Sequence, residues 1–429
     1  MRYVVTSVLC ACLSCVPGGP AGTARVVLEE LVPDGGPFNP GPEPGERLPP
    51  VRGELTVIQL ALPPGPTLKM GEAAILVGPD GTVVLVDVGS SAHDDDVRDA
   101  LSEVNAALGR PARQVEWVVL THFHGDHVGA VADLLDGNDA LQVVHGVVHR
   151  GLVDVGPGAN EDDVEALCQL LRGPLASVDR PLCRAAGERP CGGDGDVHAA
   201  VECAGLQLGN LLSTEDDALQ ETSFIPLGDG ARLTLLGADG FISNGAQPVA
   251  PTAFGHHDTN EENARSVVAW VAHGAFRYFF AGDLTGSGAS GEPDVESPLV
   301  GAAQDVFFGV LGADVIHASH HARKTSSNVT LVAALAPSDG KSRNVLAGIN
   351  EIYVGSPHDE VVRAWADGAR LGSGMIWVTD RAPGGATHAA LVEADGDVVV
   401  QTVQGGRGYR VQAAGGALRS QAFESVRAQ

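Results

Sequence analysis

The chain is short of positive charge. Against 54 Asp and Glu it carries 27 Lys and Arg, a formal net charge of −27 over 429 residues. A surface this acidic repels polyanions at long range, which excludes a protein that coats duplex nucleic acid through a basic face. A local cationic pocket or a bound metal can still receive an anionic substrate. Lysine is almost missing, with only Lys69, Lys324 and Lys341, and we read that scarcity as compositional bias rather than chemistry. No uninterrupted apolar run approaches the roughly 20 residues of a spanning helix, which excludes a polytopic membrane protein. There is no Cys-x-x-Cys pair among Cys168, Cys183, Cys191 and Cys203, no convincing internal repeat and nothing resembling a serine or cysteine nucleophile arrangement. What is present is core material: 44% of residues are hydrophobic and 19% charged, enough for one large domain or two to three ordinary ones.

Residues 1–16, MRYVVTSVLCACLSCV, place one positive charge at Arg2 before an uncharged, mostly apolar stretch. This is an export signal, too short to cross a bilayer. Its end resembles a bacterial lipoprotein signal, in which a small residue precedes a cysteine that becomes lipid-modified. Cys12 fits that pattern best, Cys15 competes, and plain secretion is the other reading. The chain is therefore expected outside the cytoplasm, secreted or held to a membrane through a lipid anchor only. With the signal ending at 15, the Pro- and Gly-rich residues 16–52 read as a tether, because such composition packs poorly. An ordered domain follows over 53–404, with a tail over 405–429. Cys168, Cys183, Cys191 and Cys203 fall close together in an exported chain, which predicts two disulfides with three possible pairings; a zinc site is the alternative.

Short β-branched runs bounded by Gly and Asp predict strands at 54–62, 73–78, 82–89, 115–122 and 141–148, then at 231–237, 266–272, 276–283 and 313–318, and finally at 375–380, 388–394 and 397–403. Helical spacing marks 94–109, 128–137, 297–311, 328–337 and 358–370. Residues 151–222 break the rhythm and read as a disulfide-stapled insertion. Runs of strands with interspersed helices predict an α/β fold of two sheets between helices.

The sharpest feature is Thr121-His122-Phe123-His124-Gly125-Asp126-His127, between a buried strand and a helix. In an extended loop His122 and His124 alternate to one side and can share a metal, while Asp126 and His127 point from the opposite rim toward a second. Imidazole nitrogens with carboxylate oxygens form a zinc-type ligand set, with manganese or iron as alternatives.

This string resembles the metallo-β-lactamase superfamily, and the resemblance implies an αββα sandwich holding two divalent metal ions. Asp87, ending the strand VVLVD, matches the aspartate that braces the metal loop. Asp283, in FFAGDLTG, matches the carboxylate bridging the two metals. His320-His321 resemble the paired histidines of the competence-type branch, which includes DNA-internalisation proteins and choline-phosphate esterases. The resemblance assigns His321 to metal and His320 to substrate, with the reverse open. There the pair is usually followed by Gly-Ser, here by Ala322-Arg323. Asn263 stands where thioester and lactam hydrolases of the superfamily usually carry histidine; it would complete the first metal with His122 and His124, loosely, or with help from His256 or His257. Downstream, Ser356 replaces the histidine of the branch's Gly-His-Pro, and His358 follows.

The expected activity is hydrolysis of a small-molecule or polymer phosphodiester, with Asp126 and His320 in catalysis and Arg323 or Lys324 clamping a phosphate oxygen. A lactam, lactone or thioester hydrolase and a non-catalytic surface binding module are the competing expectations.

Overall fold

Short strands buried on both faces build the frame. A computed structural model describes residues 48–64, 70–152, 159–185, 201–203, 224–243, 248–249, 261–286, 292–413 and 420–428. All of these belong to the compact unit Pro40–Gln429. The signal, Cys12 and Cys15, nearly all of the tether, and Cys191, His256 and His257 lie outside the described residues.

The first sheet starts with β1 (Thr56–Gln59), β2 (Ala74–Val77) and β3 (Val83–Val86), paired antiparallel in sequence. β4 (Gln114–Leu120), β5 (Gln142–His149) and β6 (Asp179–Pro181) extend it in parallel. A small hairpin of β7 (Arg184–Ala185) and β8 (Val201–Glu202) stands apart. The second sheet holds β9 (Phe224–Gly228), β10 (Ala231–Ala238), β11 (Phe241–Ser243) and β12 (Pro248–Val249). It continues through β13 (Val268–His273) and β14 (Phe276–Phe280), then in parallel through β15 (Val315–His317), β16 (Asn344–Ala347), β17 (Ile376–Val378) and β18 (Leu391–Glu393). Finally β19 (Val398–Val403), β20 (Gly408–Ala413) and β21 (Ser420–Glu424) return to the first sheet, β19 pairing with β1.

Three apolar clusters show the layering. Val84 and Val86 of β3 point with Trp117 and Val119 of β4 toward Leu233, Leu235, Tyr278 and Phe280 of the other sheet. Val83 and Leu85 point the other way, onto Val97, Leu101 and Val104 of helix Asp94–Leu108 and onto Leu167 and Leu171 of helix Glu161–Arg172. The outer face of the second sheet is covered in the same manner by Leu299, Leu331 and Trp365 from three further helices. Strands buried on both faces read as continuous apolar runs, which is why they were legible. The architecture is an αββα sandwich. Helix Asp94–Leu108 opens on three aspartates, favourable at a helix N-terminus, and ends on Gly109, whose φ of 69° suits a left-handed cap.

The structure corrects four expectations. The tail is not loose: Tyr409, Val411 and Phe423 of β20 and β21 enter the inter-sheet core. The supposed insertion begins with framework, since helix 161–172 packs on the first sheet and β6 extends it. The 128–137 helix is two short helices, Gly125–Val128 and Val131–Leu135. The long helix expected at 297–311 is α-helical only over Glu296–Ala303 and closes with a π-helical turn, Gln304–Phe308. Of the four cysteines, Cys183 and Cys203 form a disulfide with Cα atoms 3.9 Å apart, and Cys168 is also disulfide-bonded.

Candidate metal centre

The predicted ligands converge at the carboxyl ends of parallel strands. Asp87 follows β3, the histidine loop follows β4, Asp283 follows β14 and the His320-His321 turn follows β15. Carboxyl ends of parallel strands leave room for loops, which places sites there. Glu72, just before β2, reaches the same place because β2 runs antiparallel to β3.

One half of the centre is formed by Asp126, His127, Asp283 and His321. The buried Asp87 carboxylate accepts hydrogen bonds from Thr121 N and Thr121 Oγ1, both at 2.7 Å, and from His127 Nδ1 at 2.9 Å. That fixes the His127 tautomer and leaves Nε2 bare, 3.4 Å from Asp283 Oδ1. His321 is oriented alike: its Nδ1 donates to the Gly348 carbonyl at 3.1 Å and lies 2.9 Å from Glu72 Oε2. Its Nε2 faces Asp126 Oδ2 at 3.4 Å and Asp283 Oδ2 at 3.5 Å. Tyr353 stacks on the His321 ring at 3.9 Å and its hydroxyl donates to Asp126 Oδ2 at 3.1 Å. Glu72, His127, Asp283 and His321 thus form one group of donors close enough for a cation, with Glu72 meeting His321 on its Nδ1 side.

The second half shares Asp283. His122 Nε2 is 3.2 Å from His124 Nδ1 and 3.7 Å from Asp283 Oδ2. His320 stands beside it, Nε2 3.8 Å from Asp283 Oδ2 and 3.4 Å from Asn263 Nδ2, with Nδ1 2.5 Å from Thr325 Oγ1. His320, His321 and Ala322 all take positive φ, between 51° and 55°. Such a conformation costs about 1–3 kcal/mol per non-glycine residue and gathers at functional sites. Here it turns both rings of the pair inward, held by His320 N to the Gly282 carbonyl at 3.2 Å and Ser326 Oγ to the Ser319 carbonyl at 2.6 Å.

These residues fit a metal pair. His127 Nε2, His321 Nε2, Asp283 Oδ1 and Asn263 Oδ1 are all buried with no hydrogen-bond partner. Native proteins rarely leave such atoms unsatisfied, and the two imidazole nitrogens that face the Asp283 carboxylate call for a cation. Metal–ligand bonds of about 2.0–2.2 Å at tetrahedral angles put neighbouring donors about 3.4 Å apart. The 3.2 Å between His122 and His124 and the 3.4 to 3.8 Å around Asp283 bracket that spacing.

Charge divides the two halves. Burial opposes the imidazolium of His127, yet the Asp283 and Asp126 carboxylates outweigh it and hold its pKa well above the ordinary value. For His321, burial is outweighed by Asp283 and Glu72 in the same way. Burial and the neighbouring His127 push His122 well below, and burial takes His320 down to about 4 against the pull of Asp283. Burial would raise Asp126 and Asp283, but His127 and His321 keep both carboxyls well below the usual range. Burial likewise opposes ionisation of Glu72, and His317 and His321 override it, bringing its pKa to about 2.

The centre opens into a cavity of about 620 Å³ whose wall includes Arg323, Lys324 and His358. Ser356 is fully buried and takes no part in that wall, whereas His358, two residues on, does. His149 is held by Asp179 at 2.9 Å and His145 packs on Trp117, so neither joins the centre.

Sequence reasoning missed Glu72, Tyr353, Glu262 and Arg150. Arg150 is fully buried and bonds Glu262 through Nε at 2.8 Å and Nη2 at 2.7 Å. His317 also meets Glu72, through Nε2. The available signal was a charged residue inside an apolar run, as in Gly71-Glu72-Ala73-Ala74-Ile75 and Val147-Val148-His149-Arg150, because a buried charge needs a partner.

Residues 70–187 match the family model of the metallo-beta-lactamase superfamily. Over 73 residues the chain is 33% identical to the Beta-lactamase-like protein 2 homolog of Caenorhabditis elegans; that match spans 17% of this chain and 23% of the relative's length. Among solved structures, unliganded yeast PDE1 is similar at 10% identity, over 76% of this chain and 97% of that one, with a TM-score of 0.40. Zn(2+)-bound PqqB from Methylobacterium extorquens is similar at 13% identity, over 75% and 97%, with a TM-score of 0.34. With the histidine loop inside the matched stretch and two sheets sandwiched between helices, the chain is similar to the metallo-β-lactamase superfamily over residues 70–187.

Proposed function

We propose that this protein is a metal-dependent hydrolase of phosphodiesters, with two divalent ions, zinc first among them, shared between His122, His124 and Asn263 on one side and Asp126, His127 and His321 on the other. The observation that favours a phosphodiester over a lactam, lactone or thioester is the cationic wall beside the metal donors. Arg323 lines the cavity with its Nε buried and without a hydrogen-bond partner, and Lys324 lies next to it in a lining that also holds Asp163 and Glu292. In a chain of net charge −27 with three lysines, such a grouping selects an anionic substrate over a neutral one. The acidic remainder of the surface disfavours long duplex DNA and favours small or partly neutral diesters.

Bound metals would lower the pKa of a coordinated water and neutralise charge growing on the phosphoryl oxygens. The chain's own groups supply the rest. Arg323 offers charge-assisted hydrogen bonds to a phosphate oxygen. Asp126, one oxygen fixed by Tyr353, orients the reacting face and can receive a proton. His320, neutral while its pKa stays near 4, gains affinity for a proton when an anionic phosphoryl group arrives beside it. Its Nε2 can then deliver that proton to the departing oxygen.

The N-terminal signal with Cys12 or Cys15 supports export and a lipid tether; intact mass of the membrane-bound form would show a mature start at one of them, and a start far from both would overturn it. Turnover of bis(p-nitrophenyl) phosphate by the zinc-loaded protein, lost in Asp126→Ala, is the expected result for the activity. Zinc-loaded protein with no turnover above that variant would overturn the phosphodiester reading and direct the search to lactams, lactones and thioesters.

A further inference from the structure

Behind the His122–His124 half of the centre lies a buried ion network whose members Glu262 and Arg150 do not line the cavity. Glu262, fully buried, sits one residue before Asn263. Its Oε1 accepts a hydrogen bond from Phe123 N at 2.9 Å, and Phe123 is the residue between His122 and His124. The same carboxylate is gripped by Arg150 through Nε at 2.8 Å and Nη2 at 2.7 Å. Arg150 reaches on to Asp239 Oδ1 at 3.1 Å and to the Gly151 carbonyl at 3.0 Å, and its guanidinium lies 4.5 Å from the centre of the Phe123 ring. Phe123 is therefore held at its backbone by Glu262 and at its ring by Arg150.

The network spans the sandwich. Arg150 follows β5 in the first sheet and the histidine loop follows β4 there, whereas Asp239 follows β10 and Glu262 precedes β13 in the second. His122 and His124 come from one sheet, and Asn263 and Asp283 from the other. Their spacing depends on how the two loops are registered, and among the described residues Glu262 is bonded to one loop while carried on the other.

We propose that Glu262, with Arg150 as its counter-ion, is the positioning residue of the first metal site, setting Asn263 against His122 and His124. The inference rests on the two-metal reading but not on the phosphodiester one. Removing one partner of a buried pair leaves an uncompensated charge, and partners of this kind commonly change metal affinity by about 10–100-fold.

The test is zinc titration against a chromophoric chelator, resolving two binding steps, on wild type, Glu262→Gln, Glu262→Ala and Arg343→Met. Arg343 is an equally buried arginine, bonded to Asp339 Oδ2 and the Leu311 carbonyl at 2.8 Å, remote from the centre, and controls for lost stability alone. The expected result is a 10–100-fold weaker step in Glu262→Gln, loss of that step in Glu262→Ala, and both steps unchanged in Arg343→Met at a comparable drop in melting temperature. Glu262→Gln keeps an acceptor for Phe123 N and guards against a variant that fails to fold. Two wild-type affinities in Glu262→Gln, or an equal loss in Arg343→Met, would overturn the proposal. A wild type that takes up no zinc would overturn the metal reading with it, whereas two bound zincs without diester turnover would overturn only the phosphodiester reading.

Discussion

The two halves of the centre share Asp283 but are built on different principles. Around His127 and His321, each imidazole carries a buried carboxylate at its Nδ1 side, Asp87 at 2.9 Å and Glu72 at 2.9 Å. Around His122 the partner at Nδ1 is the Thr121 hydroxyl at 3.1 Å, and the remaining donors are His124 and an amide oxygen. Carboxylates behind a ligand raise its basicity, and an amide oxygen is a weaker ligand than imidazole. With two histidines in each half, the difference lies in the carboxylates behind them. The Asp126–His127–His321 half should hold its ion more tightly.

That contrast can be broken from its centre outward. Asp283→Ala removes the carboxylate common to both halves; bound zinc should fall from two equivalents to at most one, and turnover by about a thousandfold or more, read by metal analysis and steady-state rates. Glu72→Gln should weaken only the tighter step, by about 10–100-fold, whereas Asp87→Asn, which also releases Thr121 beside His122, should weaken that step and the other as well.

Proton competition sharpens the contrast. His127 and His321 have raised pKa values, so below those values a proton must leave before a metal can bind; their step should weaken as pH falls, starting above pH 6.5. His122 has a lowered pKa, stays neutral there, and its step should be flat over the same range. Isothermal titration between pH 6 and 8.5 separates the two slopes. The smallest effect is at the rim: Arg323→Ala should raise KM for a diester about tenfold with little change in kcat, since it removes one charge-assisted contact.

The fold was legible wherever strands are buried on both faces, because Val83-Val84-Leu85-Val86 or Trp117-Val118-Val119-Leu120 cannot face water on either side. The metal loop was legible because four donors sit within six residues. Glu72 was not, because it reaches His321 across 249 positions of sequence only through sheet pairing and the inter-sheet packing. Strands β20 and β21 were missed because Gly and exposed polar residues interrupt their apolar pattern, while pairing with β19 supplies the missing order. Ala322, at a φ of 55°, shows the reverse case: a local rule is broken where the turn must aim two histidines inward.

The most direct test is zinc titration of the wild-type protein beside Glu72→Gln. Two equivalents of unequal affinity, with only the tighter one weakened by the substitution, is the predicted result. Two equal sites, or a substitution that weakens both alike, would contradict it.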